Sequence, residues 1–275
     1  MPSMPSEPPS HRAPLVLITG ASSGIGQALA TRYAQAGYRL ALLARRTAPM
    51  QAWADVLGLP ASRFHLYGAD VTDCSSVIAA AQACLQTQGL PEVVIACAGI
   101  SIGMDSAEWD DLEVLARTFA TNNVGLAASF APFIKPMCVR GSGTLVGIAS
   151  IAAIRGTPGH GAYCASKAAV VAYCESLRGE LRGSGVAVVT LLPGFVDTPM
   201  TRDNPFPMPF LLSADAFASR AFKAIAAQTS YRVIPWPMGL TAKLLRLLPN
   251  PWFDRLLASH PRKPRQRKPP AGAGP

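Results

Sequence analysis

Short, largely apolar runs recur along this chain, each followed by a stretch of helical character, and few folds accept that rhythm. Leu15-Val16-Leu17-Ile18 is the first run, and Leu40 to Leu43, Phe64 to Tyr67, Val93 to Ala96, Leu145 to Ile148 and Val186 to Leu192 follow. A strand that lacks polar alternation is one buried on both faces, as in a parallel sheet. Helical stretches fall between the runs: Gly24 to Ala36, closed by Gly37, then Asp73 to Gln86, Asp110 to Met137 (long enough to be broken) and Ala162 to Leu181. Strand–helix alternation of this kind predicts an α/β fold, a doubly wound parallel sheet with helices on both faces.

With 275 residues, 49% of them hydrophobic, the chain can bury one large core. No boundary or internal repeat interrupts residues 14–235, which read as a single domain. Residues 1–13 are Pro/Ser-rich and expected to be disordered, without the apolar core of a signal peptide. Residues 236–260 form an apolar and basic C-terminal extension, and 261–275 a basic tail expected to be disordered. The net charge of +9 looks at first like a nucleic-acid signal. Five of those charges are Arg262, Lys263, Arg265, Arg267 and Lys268 in the tail, so the body is only mildly basic and no specific nucleic-acid partner is expected. The six cysteines form no C-x-x-C pair and no Cys/His cluster of zinc spacing, so no metal site is expected. They read as reduced thiols of a cytoplasmic protein. No run of about 18 apolar residues exists to span a bilayer.

Thr19-Gly20-Ala21-Ser22-Ser23-Gly24-Ile25-Gly26 stands where the first strand should turn into the first helix, and it makes the expected fold Rossmann-like. Gly20 permits a tight turn. Gly24 and Gly26 let the backbone, with Ser22, Ser23 and Ile25, approach a pyrophosphate at the positive helix end. An NAD-preferring site would carry Asp or Glu at the end of the second strand. Here Ala44 takes that position, followed by Arg45 and Arg46, whose guanidiniums suit a 2′-phosphate. NADP(H) is therefore expected over NAD(H). Asp70, with Val71 beside it, ends the third strand region and suits the adenine amino group.

Twelve residues separate Ser150 from Tyr163-Cys164-Ala165-Ser166-Lys167. Four-residue spacing places the phenol and the ammonium on one helix face. A phenol has a reference pKa of about 10, and a neighbouring ammonium favours its phenolate, so the Tyr163 pKa is expected to fall. Tyr163 then gives a proton to a carbonyl or takes one from an alcohol, while Ser150 holds the substrate oxygen. Lys167 tunes Tyr163 and grips the cofactor ribose.

These motifs resemble the short-chain dehydrogenase/reductase family, of NADP(H)-preferring type, over about residues 14–235. The resemblance implies an oxidoreductase moving hydride between NADP(H) and a carbonyl or secondary alcohol, and a homodimer or homotetramer. It also implies that Asn122, in Asn122-Asn123-Val124-Gly125, kinks the central helix and holds a water linked to the lysine. Pro193-Gly194 matches the family's Pro-Gly, so Val196 and Thr198 are expected at the nicotinamide end. Ala96-Cys97-Ala98-Gly99 departs from the family's Asn-Ala-Gly. It keeps the small Ala98 and Gly99 that face the cofactor and loses a buried polar strut.

Met200, Phe206, Met208, Phe210, Leu211 and Leu212 read as a lid over an apolar pocket or as a crossover packed on the core. Ile100, Ile151, Ile154 and His160 are further candidates for its lining. Leu240, Leu244, Leu247 and Leu248 share one helical face in the extension, and Trp252, Phe253, Leu256 and Leu257 follow. Packing on the domain, packing on a second subunit and lying on a membrane surface all fit that pattern. The extension resembles those of family members that reduce lipid-like ketones, such as ketosphinganine reductases. The expected substrate is a medium-to-large apolar carbonyl or alcohol. The alternative is a non-catalytic NADP(H)-binding sensor or scaffold, whose signature would be loss of Ser150, Tyr163 or Lys167.

Overall fold

A computed structural model describes residues 13–202, 204, 207–258 and 261–265. The expectation for 1–12 lies outside these. The chain runs β1 (Leu15–Thr19), α1 (Gly24–Gln35), β2 (Arg39–Ala44), α2 (Ala48–Val56), β3 (Phe64–Gly68), α3 (Cys74–Thr87) and β4 (Val93–Ala96). It continues through α4 (Asp111–Phe119), a π-helical segment (Ala120–Val124), α5 (Gly125–Arg140), β5 (Gly143–Ile148), α6 (Gly161–Glu180) and β6 (Val186–Pro193). Then come β7 (Val196–Asp197), β8 (Leu212–Ser213), α7 (Ala214–Ala226), β9 (Tyr231–Ile234), α8 (Trp236–Leu247) and α9 (Asn250–Leu257).

The main sheet has the order β3-β2-β1-β4-β5-β6-β9, all parallel. Alternate residues of each strand feed opposite faces. Leu15, Leu17 and Leu43 meet Val77, Phe130 and Val170 from α3, α5 and α6 on one side. Val16, Ile18 and Leu42 meet Leu29, Met50 and Phe217 from α1, α2 and α7 on the other. Helices on both faces account for the unbroken apolar strands, as a doubly wound sheet requires.

The chain reverses direction across the sheet between β1 and β4, which opens a crevice at their carboxyl ends. Here the missing asparagine has a counterpart. The Thr19 hydroxyl, fully buried, accepts the amides of Cys97 at 3.1 Å and Ala98 at 3.2 Å. It therefore ties the ends of β1 and β4 together. α2, α7 and β9 were not expected from the sequence.

Residues 236–258 pack on the domain. Met238, Ala242 and Phe253 are buried, and Arg155 stacks 3.8 Å over the Phe253 ring while donating to the carbonyls of Leu245 and Leu248. The tail departs from expectation. Residues 261–265 lie against the domain, and Arg265 pairs with Gly103 in a parallel backbone bridge. Arg262 and Arg265 find carboxylates and Lys263 finds Ser101, which offsets the entropy of ordering them. Arg267 and Lys268 lie outside the described residues.

Thr19→Val keeps the shape and leaves two amides without their acceptor. It should cost ~1–3 kcal/mol in urea denaturation. A loss within error of zero would show that β1 and β4 do not depend on this hydroxyl.

Candidate active site

The turn after β1 can only be built from glycine. Gly20 has φ +68°, and a Cβ there would lie 2.8 Å from the Ala98 Cα. A Cβ on Gly26 would run into the Gly20 carbonyl, so α1 packs directly on the turn. Ser23 caps α1 without spending its side chain on the first amides. Those donors and the positive helix end therefore stay available to an anion. A pyrophosphate fits such a glycine turn at a helix amino end.

From the turn a cleft of about 880 Å³ extends along the carboxyl ends of the strands. Gly20 and Ser22 to Gly26 line it, with Arg45 and Arg46 after β2, and Asp70 and Val71 after β3. Ala98 and Gly99 follow β4, Ser150 follows β5, and Tyr163 and Lys167 come from α6. Pro193, Gly194, Val196 and Thr198 close the end beyond β6. Arg45 sits 3.9 Å from the Asp70 carboxylate, and both are solvent-exposed. Asp70 also accepts the Thr72 amide at 3.0 Å and the Thr72 hydroxyl at 2.9 Å, which hold its carboxyl below the usual range. The helix cap is Asp73, through the Ser75 amide.

Ser150 ends the β5 loop and caps a short 3₁₀ turn through the Ala152 amide. Its hydroxyl faces the Tyr163 phenol and favours the phenolate. Lys167, one helical turn on, is 5% exposed, lies 5.9 Å from the Tyr163 ring centre and donates to the Ile148 carbonyl at 2.9 Å. Burial pushes the ammonium down to about 8. The expected fall of the Tyr163 pKa is not found among the protein's own groups. Burial raises it, and the Ser150 hydroxyl only partly offsets that. Taking an anion out of water outweighs the attraction of a lysine that is itself poorly solvated.

Asn122 is not on the cleft wall. It lies in the π-helical segment, a widened turn where two helices would otherwise be one. Its carboxamide accepts the Ile100 amide at 2.9 Å, and donates to the Ile100 carbonyl at 3.0 Å and the Ser166 hydroxyl at 2.9 Å. A Cβ on Gly99 would lie 3.2 Å from its Oδ1 and 3.3 Å from the Lys167 ammonium, so a glycine lets both groups close in. Asn123, the rival assignment, instead donates to the Ser166 carbonyl at 2.8 Å. Cys97 sits in the same cluster, and burial pushes its thiol up to about 12.

Ile100 and Met200 line the cleft, whereas Ile151, Ile154 and His160 do not. After Ser150 the chain turns away, and Ile154 packs against the core. Phe210 and Leu211 are exposed rather than packed, and Phe206 lies outside the described residues. Arg117 and Thr121 also reach the cleft wall, and sequence reasoning missed them. Their signal was four-residue spacing running into Asn122. Among the described residues no three His, Cys, Asp or Glu side chains converge on a metal-sized site.

The family profile described as short chain dehydrogenase matches residues 14–206. An uncharacterized oxidoreductase of Myxococcus xanthus is 36% identical over 238 residues, which cover 86% of this chain and 94% of that protein. A short-chain dehydrogenase/reductase of Burkholderia phymatum, solved in complex with NAD, superposes with a TM-score of 0.76 at 26% identity, covering 92% of this chain and 97% of that one. A short-chain dehydrogenase of Sphingobium yanoikuyae, solved in complex with NADPH, gives 0.73 at 26% identity, covering 86% and 97%. The chain belongs to the short-chain dehydrogenase family, a family of oxidoreductases.

Because folding lowers the Lys167 pKa from 10.5 to about 8, the charged lysine costs stability below pH 8. That cost is relieved as the pH rises to about 10.5. The stability of Lys167→Met relative to wild type should therefore decline by roughly 1–3 kcal/mol between pH 8 and 10.5. A flat difference would mean that the ammonium is solvated.

Proposed function

We propose that the protein is an NADP(H)-dependent reductase of ketones, or dehydrogenase of the matching secondary alcohols, acting on a medium-to-large apolar or lipid-like substrate. The carrying observation is that Ser150, Tyr163 and the buried Lys167 line one cleft together with the glycine turn, with Lys167 one helical turn behind the phenol. The nicotinamide, when bound, supplies or accepts the hydride. The chain handles the proton. Ser150 donates a hydrogen bond to the carbonyl oxygen and holds it beside the Tyr163 hydroxyl. Tyr163, kept neutral by burial, is a phenol ready to give its proton to that oxygen as it becomes an alkoxide. Lys167 stands behind the phenol and stabilises the phenolate that results. In the reverse direction the phenolate takes the alcohol proton. Asn122 acts as a strut that fixes Ile100 and the Ser166 end of α6.

Arg45 and Arg46 support NADP(H). Both line the cleft after β2, where Ala44 provides no carboxylate to repel a 2′-phosphate. Titration should show NADPH bound more tightly than NADH. Arg45→Ala should weaken NADPH about 10- to 100-fold and leave NADH unchanged. Tyr163→Phe should retain NADPH affinity and lose about 100- to 10,000-fold in kcat on a panel of cyclic, aromatic and long-chain ketones. Tighter NADH binding would overturn the 2′-phosphate reading, and an active Tyr163→Phe would overturn the proton route.

The lipid-like part of the reading rests on α8 and α9. Trp236, Leu240, Leu244, Leu247, Trp252 and Leu256 are all more than half exposed, with Lys243, Arg246 and Arg255 among them. None of the described helices is long and apolar enough to cross a membrane. This stripe supports peripheral contact with an anionic lipid surface. The protein should float with vesicles containing phosphatidylserine, and Leu244→Glu with Trp252→Glu should abolish flotation and leave turnover of a soluble ketone intact. Wild-type protein that stays behind, and is dimeric or tetrameric through this stripe, would assign it to self-association instead.

A further inference from the structure

The strongest contacts of residues 261–265 are with the loop that follows β4, the same loop whose other side forms the cleft wall at Ile100, Ser101 and Ile102. The Lys263 ammonium donates to the Ser101 carbonyl at 2.9 Å and to its hydroxyl at 2.7 Å. Arg265 forks onto Asp111 through Nε at 2.8 Å and Nη2 at 3.1 Å, and its Nη1 lies 3.5 Å from Glu108. The Asp111 side chain is 6% exposed and also accepts the Asp105 amide at 2.6 Å. Arg262 lies 3.7 Å from Asp105. Space for the passing backbone is made by two glycines. A Cβ on Gly103 would run into the Pro264 carbonyl, and one on Gly159 would lie 2.7 Å from the Lys263 nitrogen.

We propose that residues 261–265 are a strap that sets the substrate range of the site. Arg265 latches it to Asp111, and Lys263 is the positioning residue that holds Ser101, and with it the wall from Ile100 to Ile102. The inference rests on the reductase reading for its substrate class and on the contacts above for the strap itself. A forked guanidinium on a nearly buried carboxylate is the strong form of an ion pair, and it keeps the strap from fraying as chain ends do. Lys263 does not touch the reacting atoms. Its two bonds fix where the loop stands, and so how wide a ketone the wall admits.

The test compares the full chain with a chain ending at Pro261, with Arg265→Ala and with Lys263→Met. One arm needs no substrate: amide hydrogen exchange of residues 100–111. In all three variants it should quicken about tenfold or more, with the denaturation midpoint of the domain unchanged. The other arm measures KM and kcat over a series of ketones of increasing size. KM for the largest should rise about fivefold or more in the variants, with kcat, NADPH affinity and KM for the smallest unchanged. Arg265→Lys keeps the charge without the fork and should fall between. Unchanged exchange in all three variants overturns the strap. Faster exchange with unaltered size selectivity overturns its role in specificity. Wild-type protein that binds NADPH and turns over no ketone overturns the reductase reading alone, and the exchange arm then decides the strap.

Discussion

Two backbones meet where the sheet changes direction, and the rest of the molecule is arranged around that meeting. Gly20 lies against Ala98 at a distance that no side chain would survive, and the Thr19 hydroxyl holds the amides of Cys97 and Ala98 beside it. Because the crossovers on either side run to opposite faces, nothing fills the space above this junction. The cleft is that space. The glycine turn and the amino end of α1 supply its anion site, and β4 delivers Gly99 to its floor.

The second constraint is the buried lysine. An ammonium withdrawn from water must be held by dipoles, and Lys167 donates its described hydrogen bond to the Ile148 carbonyl. The surroundings are adapted to bring others near. Gly99 leaves room, and the π-helical turn swings Asn122 toward the same point. Such a turn costs helix stability, and here it is repaid by three hydrogen bonds of the Asn122 carboxamide, one of them to Ser166 on the tyrosine's own helix. The two buried titratable groups then move in opposite directions, the lysine downward and the phenol upward, which favours the neutral form of each. A negative or positive charge arriving in the cleft therefore has a large effect on both, since little water is present to screen it.

Five strands of the main sheet were legible because burial on both faces leaves little room for polar residues, and the edge strand β3 showed only as the short run Phe64 to Tyr67. β9 did not show, since Tyr231-Arg232-Val233-Ile234 is an edge strand with two exposed members and reads as a loop end. The spacing of Ser150, Tyr163 and Lys167 was enough to bring them together, because one helix and one strand end position all three. The Tyr163 pKa was misjudged for a reason the sequence hides. Spacing tells which charge is near, and only the fold tells how much water has left. Thr19 was passed over for the same reason, as one polar residue at the end of an apolar run.

Residues 261–265 were not legible as an ordered segment. Read alone, Pro261 to Pro275 has the composition of a disordered segment: rich in proline and cations, poor in anything to bury. Read against the loop after β4, it is a complement. Asp105, Glu108 and Asp111 gather within seven residues of the chain's most acidic stretch, and Arg262 and Arg265 meet all three. Composition averages over a segment and so cannot report a partner some 150 residues away. What orders the strap is not apolar burial but paired charge, with the Arg265 fork on Asp111 at its centre. Asp111, at the first turn of α4, accepts both arms of the guanidinium, which holds its carboxyl below the usual range. The placement of residues 261–265 is thus decided by carboxylates of the domain, and the charges of Arg262 and Arg265 are spent at the edge of the site.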